Sequence, residues 1–153
     1  EQLKSAKGHE RQVALLRAIG NSGSVMAHDA LKPFLNAKDE TLRSTAVSAL
    51  RWNPSDFAET ILLGNLDKDP SEAIRLVVIE AYGLRPMTEA AVLAHAKAAV
   101  SDASSKVRVG ALLNLMRARF RQPHVIGVVK RATTKDPDPT VRKKAKEMLE
   151  DET

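Results

Sequence analysis

Apolar residues recur along the chain in a pattern that is written four times. When Arg43, Arg75, Arg108 and Arg142 are aligned, with spacings of 32, 33 and 34 residues, the residue before each is aliphatic. The third and the seventh residues after each arginine are again apolar. These three positions share one face of a helix with about 3.6 residues per turn. The pattern therefore predicts four helices, each with one buried stripe.

A weaker fifth copy leads the chain, with Gln12 at the arginine position and Leu15 and Ile19 at the apolar positions. Further helices are predicted between the copies, over residues 24–37, 55–66, 87–100 and 124–135. They open near Gly23, Pro54, Pro86 and Pro123, and proline is tolerated in a first helical turn. Because Pro123 comes four residues late, we expect the helix of the third copy to continue through residues 117–121. Turns rich in Asp, Ser and Pro precede the arginine helices and favour caps. With no strand signal, the sequence predicts an all-α solenoid.

The repeated motifs resemble HEAT repeats, in which an A helix and a B helix form each unit. "DALKPFL" (29–35) looks like the A-helix motif, and "DPSEAIRLVV", "DASSKVRVGA" and "DPTVRKKA" look like the B-helix motif. Val78 replaces the usual alanine, and the first unit lacks both the arginine and its own A helix.

The HEAT resemblance implies a right-handed α-solenoid of about four to four and a half helical hairpins. The whole of 1–153 would be one HEAT-repeat domain, and we expect it to be a fragment of a longer chain. Its parts would be the B helix of a truncated unit at 9–20 and units at about 23–52, 53–85, 86–121 and 122–151.

A narrower likeness concerns the first half of the chain. "LLRAIGNSGS" (15–24), followed by "IRLVVIEAY" (74–82), is similar to the helical superhelix of vitellogenin-like large lipid transfer proteins. That resemblance implies a lipid-binding module. Since the chain has no strand signal, it would cover only the helical part of such a protein.

Composition and charge narrow the classes of function. The 153 residues contain no cysteine, which excludes a disulfide scaffold and thiolate metal sites. No apolar run is long enough to span a bilayer, and the N-terminal residues do not form a targeting segment, so the compartment is unknown. Residues 1–100 hold 12 basic and 12 acidic side chains, whereas residues 101–153 hold 12 basic and 7 acidic ones. The net charge of +5 therefore belongs to the C-terminal part and favours an acidic partner.

The aligned arginines have acidic companions. Three of them follow an aspartate by six residues, and Arg43 follows one by four. We interpret these residues as a structural ladder between successive units, with an anion-binding row as the alternative. The ladder comprises Arg43, Asp39, Arg75, Asp69, Arg108, Asp102, Arg142 and Asp136.

The residues one and five positions after each arginine should face away from the core. Among them Leu76, Val109 and Leu113 predict an exposed apolar patch, unless the helix phase is shifted and they are core. A basic cluster follows, and its alternative interpretation is an ordinary solvated surface. The cluster comprises Arg117, Arg119, Arg121, Lys130, Arg131, Lys143, Lys144 and Lys146.

Catalytic and metal-binding signals are weak. His9, His28, His95 and His124 lie on different predicted helices without a second ligand at helical spacing. "LRWNPSD" (50–56) resembles part of a HEAT-like DNA glycosylase site only in offering Trp52 and Asp56. One Trp near one Asp is a weak signal, and Pro54 with Asp56 favours a helix start. We therefore predict a non-catalytic scaffold without a cofactor.

The scaffold is expected to bind a protein partner on its B helices. Lipid binding and binding to a nucleic-acid backbone are the alternatives, the latter weakened because only Phe120 interrupts the basic residues. The predicted partner-binding residues are Leu76, Val109, Leu113, Arg117, Arg119, Arg121, Lys143 and Lys144.

Overall fold

The computed structural model describes residues 8–150, and every regular element in that range is helical. The α-helices are α1 (His9–Ser22), α2 (His28–Leu35), α3 (Glu40–Ser48), α4 (Asp56–Lys68), α5 (Glu72–Tyr82), α6 (Glu89–Ser101), α7 (Ser105–Ala118), α8 (Val125–Lys135) and α9 (Pro139–Glu150). Two 3-10 helices lie at Val25–Ala27 and Ala49–Trp52. No strand occurs between residues 8 and 150, so the all-α prediction is confirmed for this range.

The chain divides into two compact units, Glu1–Arg85 and Pro86–Thr153. In the first unit α3 contacts both α1 and α5, while α2 packs on α3 and α4 packs on α5. In the second unit α6 pairs with α7 and α8 pairs with α9, and the two pairs meet through α7–α9 and α6–α8 contacts. Each unit is thus built from helices that are neighbours in sequence.

The predicted stripe forms the core of these contacts. The third residue after each aligned arginine is fully buried, and three of the four are alanine, so the helices can approach closely. Ile74, Val107 and Val141 before the arginines are also buried, whereas Leu42 is half-buried. The stripe therefore explains which face of each helix packs. The fully buried residues are Ala46, Val78, Ala111 and Ala145.

The register of the first copy was wrong by one residue. α1 buries Val13, Leu16 and Gly20 rather than the positions set by Gln12. A Cβ added to Gly20 would lie 2.6 Å from the Cα of Ala49. The backbones of α1 and of the second 3-10 helix, Ala49–Trp52, are therefore in direct contact. This close approach fixes the face of α1 that packs.

The third copy is also shorter than expected. α7 ends at Ala118, and residues 119–121 form a turn. The backbone N–H groups of Arg121 and Gln122 both donate to the Ala118 carbonyl. Because a residue before proline is disfavoured in helical conformation, the helix is not expected to include Gln122, and it ends four residues before that, at Ala118.

Side-chain caps fix where several helices begin. The hydroxyls of Ser55, Thr88 and Ser104 accept the N–H groups of Ala58, Ala91 and Val107. These bonds satisfy helix-end donors that have no partner within the helix. None of the helices in the described range is both long and apolar enough to cross a membrane.

An arginine binds the carbonyl groups at the C-terminal end of the 3-10 helix Ala49–Trp52. Arg85 Nη1 donates to the carbonyls of Leu50 and Arg51 at 3.0 and 3.2 Å, and to that of Asn53. A cation is favourable at such an end because the last carbonyls of a helix carry partial negative charge. Arg85 therefore joins the end of the first unit to the turn that precedes α4.

Candidate functional site

Arg108 and Arg43 each contact an aspartate of the following copy. Arg108 donates from Nε to Asp136 Oδ2 at 2.8 Å and from Nη2 to Oδ1 at 2.9 Å. Both side chains are nearly enclosed, at 7% and 3% exposure. In the first unit, Arg43 Nε donates to Asp69 Oδ2 at 3.1 Å, with 15% and 5% exposure. Each contact ties one helix to the turn before the next copy within the same unit.

All four arginines also make a contact that their spacing explains. Nη1 of each donates to the backbone carbonyl six residues earlier, over 2.6 to 2.9 Å. The carbonyl belongs to an aspartate in three cases and to Ala37 in the fourth. Since a backbone oxygen accepts the bond, no acidic side chain is needed there. The accepting residues are Ala37, Asp69, Asp102 and Asp136.

Asp39 takes a different role from the partner of Arg43. It caps α3 by accepting the Leu42 N–H at 2.9 Å, and its carboxylate contacts His9 Nε2 at 3.2 Å. The bond from Leu42 is the main cause that lowers the pKa of Asp39. Asp39 is thus a helix cap, and Arg43 pairs with Asp69 instead.

A row of three residues runs along the outer side of α7. Val109 is half-buried, Leu113 is 48% exposed and Arg117 is exposed. They are spaced by four residues and therefore share one face, while Val107 and Leu115 on another side are buried. Leu76, which belongs to the first unit, is half-buried on α5. None of the predicted patch residues is core.

Arg117 and the two arginines that follow it differ in their surroundings. Arg119 turns back on its own helix, with Nη1 donating to the Met116 carbonyl at 2.7 Å. Its guanidinium lies 4.2 Å from the ring centroid of Phe120, which is 81% exposed. Arg117 and Arg121 are exposed. Phe120 was not predicted as a site residue, although it stands between arginines in the turn that precedes Pro123.

The lysines on α9 are exposed but have an acidic neighbour. Lys144 Nζ lies 2.8 Å from Glu147, and Lys143 Nζ lies 3.8 Å from it. The bond to Glu147 raises the pKa of Lys144, and the same bond lowers the pKa of Glu147. Lys130, Arg131 and Lys146 are exposed as well. The positive field of α9 is therefore partly compensated.

One histidine of the second unit is buried between α6 and α7. His95 is fully enclosed, with Nδ1 2.8 Å from the Ala91 carbonyl and Nε2 3.3 Å from Asn114 Nδ2. Burial lowers its pKa to about 4, so the ring is neutral at pH 7. Over the described part of the chain, no three His, Asp or Glu side chains are grouped so that they could hold a metal ion.

Two sequence comparisons bear on the family of the chain. The chain matches no model of a known protein family, and no curated protein matches it significantly in sequence. The residues that bear on function are therefore those that the structure itself presents. Chief among them are the α7 row and the exposed residues of the turn that follows it.

Proposed function

We propose that the chain is a non-catalytic scaffold of HEAT type, a right-handed α-solenoid of about four to four and a half helical hairpins. The ordered contacts of α1, α3 and α5, and of α7 with α9, support this proposal. So do the two arginine–aspartate pairs, which join one copy to the next. Stacked repeats bury a continuous core and present an extended surface to a protein partner.

The row on α7 carries the proposal. Val109 and Leu113 offer an apolar strip, and it leads directly into Arg117. Beyond the helix, Phe120 adds an exposed aromatic ring, and Arg121 adds an exposed charge. Aromatic residues and arginines are enriched at protein interfaces, where they supply most of the binding energy.

The partner is an acidic protein segment that carries apolar side chains. Residues 101–153 hold 12 basic side chains against 7 acidic ones, so acidic surfaces are attracted to this part of the chain. The apolar strip would bury the partner's side chains, and the arginines would steer its approach. Leu113 is the anchor in this arrangement.

Phe120 also favours a second candidate, the binding of single-stranded nucleic acid. An exposed ring beside arginines can stack on a base while the charges contact phosphates. Such binding would weaken steeply as salt is raised, because phosphate contacts release counterions. Nuclease treatment separates this candidate from an acidic protein.

The experiment is affinity capture from an extract of the source cells, with and without nuclease, followed by binding measurements on the purified partner. One variant combines Arg117→Glu and Arg121→Glu, and a second carries Leu113→Ser. Arg119 is left unchanged because it bonds to its own helix. The controls are Arg11→Glu with Lys32→Glu, and Leu93→Ser on α6, where Leu93 is 64% exposed.

A nuclease-resistant acidic protein that is lost with either α7 variant and kept by both controls supports the scaffold. We expect Leu113→Ser to weaken the purified complex by about tenfold or more, as loss of an interface anchor does. Capture that disappears after nuclease treatment would move the assignment to nucleic acid. Equal losses in test and control variants would remove α7 from the interface.

A further inference from the structure

A polar cavity lies in the first unit, away from the residues of the proposed interface. Its volume is about 340 Å³, and it is formed where α1, α3, the second 3-10 helix and Val77 of α5 meet. None of its lining residues is acidic. The polar side chains that line it are those of Arg17, Asn21, Ser44, Thr45, Ser48 and Arg51.

Arg51 is the most constrained of these side chains. Its Nη2 donates to Asn21 Oδ1 at 3.3 Å, and its guanidinium lies 5.7 Å from the ring centroid of Trp52. Its Nε is enclosed, and no atom of the described residues accepts a hydrogen bond from it. Buried N–H groups nearly always have an acceptor, so Arg51 is unusual in being held with one donor unpaired and with no acidic partner among the described residues.

Other donors line the same cavity without a protein acceptor. Arg17 is exposed on α1 and makes no ion pair or hydrogen bond with another residue of the range 8–150. The half-buried hydroxyls of Ser44 and Ser48 likewise form no hydrogen bond with another residue of that range. Thr45 differs, because its hydroxyl donates to the Thr41 carbonyl. The cavity lining thus includes two cations without an ionic partner and two hydroxyls without a hydrogen bond in the range 8–150.

The backbone holds the two arginines at one site. Gly20, between Arg17 and Asn21 in sequence, lies against Ala49, two residues before Arg51. A methyl group at Gly20 would meet the Ala49 backbone at 2.6 Å, so only glycine allows this approach. The two guanidinium groups are therefore brought to the cavity by packing of the fold.

We propose that this cavity binds the phosphate group of a phosphate monoester. Arginine suits phosphate because its planar fork donates parallel hydrogen bonds to two oxygens. A phosphate has enough oxygens for two arginines and two hydroxyls, whereas a carboxylate has only two. The cavity is at the lower end of the roughly 300–1,000 Å³ typical of ligand sites, which fits a phosphate with a small attached group.

The same chemistry has two sources, a small free phosphate ester and a phosphorylated side chain of a protein. Isothermal titration of the full chain distinguishes these two sources. The probes are inorganic phosphate, O-phosphoserine, a phosphoserine peptide and the unphosphorylated form of that peptide. Tighter binding of the phosphopeptide than of O-phosphoserine assigns the site to a phosphorylated protein. Equal affinities assign it to a small ester.

Variants locate the site. Arg17→Gln and Arg51→Gln should each weaken phosphate binding by about tenfold or more, because each removes a charge-assisted hydrogen bond. Arg11→Gln is the matched control, on the same helix and outside the cavity. Arg17 is exposed, so its variant retains the test if Arg51→Gln fails to fold. Amide chemical shifts of residues 44–51 give a second readout.

The proposal is overturned if chloride at matched ionic strength produces the same shifts as phosphate. It is also overturned if Arg11→Gln weakens binding as much as Arg17→Gln does. The Arg117→Glu, Arg121→Glu variant should bind phosphate as the natural chain does, because its substitutions lie in the other unit. Phosphate binding therefore stands or falls separately from the interface on α7.

Discussion

The Arg108–Asp136 and Arg43–Asp69 pairs are copies of one motif with different geometry. In the second unit Arg108 contacts both carboxylate oxygens of Asp136, and the hydrogen bond raises the pKa of the guanidinium. In the first unit Arg43 contacts the Asp69 carboxylate through a single bond from Nε, and the pair is more exposed. The same residue types therefore give a two-bond enclosed pair in one unit and a one-bond pair in the other.

This difference separates the constant part of the motif from the variable part. Each aligned arginine donates to the carbonyl six residues earlier, including Arg43, whose acceptor is an alanine. The carboxylate contact varies in the number of bonds and in exposure. The role that all four arginines share is thus to bind a carbonyl of the turn before their own helix. The contact with an aspartate of the next copy differs from one copy to another.

The largest expected effect comes from breaking the enclosed pair. Arg108→Leu leaves the Asp136 carboxylate buried without its cation, which should lower the free energy of unfolding by about 3–5 kcal/mol. Arg43→Leu removes a single bond to the carboxylate, at a more exposed site, together with the bond to the Ala37 carbonyl, and we expect about 1–3 kcal/mol. Urea-induced unfolding followed by circular dichroism measures both.

A second substitution tests whether the unpaired Asp136 carboxylate causes the loss of stability in Arg108→Leu. Arg108→Leu combined with Asp136→Asn removes the unpaired charge, so part of the lost stability should return. Equal losses for Arg108→Leu and Arg43→Leu would show that the second bond and the deeper burial contribute nothing. The two pairs would then differ in geometry but not in their contribution to stability.

The second expected effect is a loss of stability at acidic pH, and its source is His95 in the second unit. Burial lowers its pKa to about 4, whereas an unfolded histidine titrates near 6.5. The unfolded chain therefore binds the proton first, and the neutral ring favours folding at pH values above about 6.5. As pH falls from about 6.5 to 4, roughly 3 kcal/mol of stability should be lost.

His95→Gln is the test variant, because glutamine cannot titrate. Urea unfolding between about pH 7 and pH 4 should show a flatter dependence of stability on pH in the variant than in the natural chain. The exposed His124→Gln is the control and should leave the slope unchanged. An unaltered slope in His95→Gln would mean that other groups cause the acid sensitivity.

The smallest expected effect compares two serines at equivalent helix starts. Ser104 caps α7 by accepting the Val107 N–H, whereas Ser71 before α5 makes no such bond with its side chain. Ser104→Ala should cost about 1 kcal/mol, and Ser71→Ala should cost a few tenths at most. Thermal unfolding of both variants checks this, and the reverse order would contradict the capping geometry.

Much of the fold was predictable because the arginine motifs repeat. The stripe at Ala46, Val78, Ala111 and Ala145 is buried, as helical periodicity requires. The first copy has no arginine to align, and its register was therefore wrong by one residue. The end of α7 was misplaced because the position of Pro123 was interpreted as a longer helix rather than as a turn.

The candidate sites were less predictable, because side-chain direction depends on packing. Arg119 and Arg121 are two residues apart, yet one bonds to its own helix and the other is exposed. Arg17 and Arg51 are 34 residues apart and line one cavity because Gly20 lies against Ala49. Helical periodicity along one helix carries no information about such a meeting of two helices.

The position of Arg85 has a consequence for proteolysis and for truncation. Its guanidinium is bonded to three carbonyls of the first unit, and the boundary between the units follows it immediately. Trypsin cleaves after arginine but poorly before proline, so the Arg85–Pro86 bond should survive digestion of the folded chain. A shortened chain that ends at Leu84 would lose these three hydrogen bonds, and the turn before α4 would become less ordered.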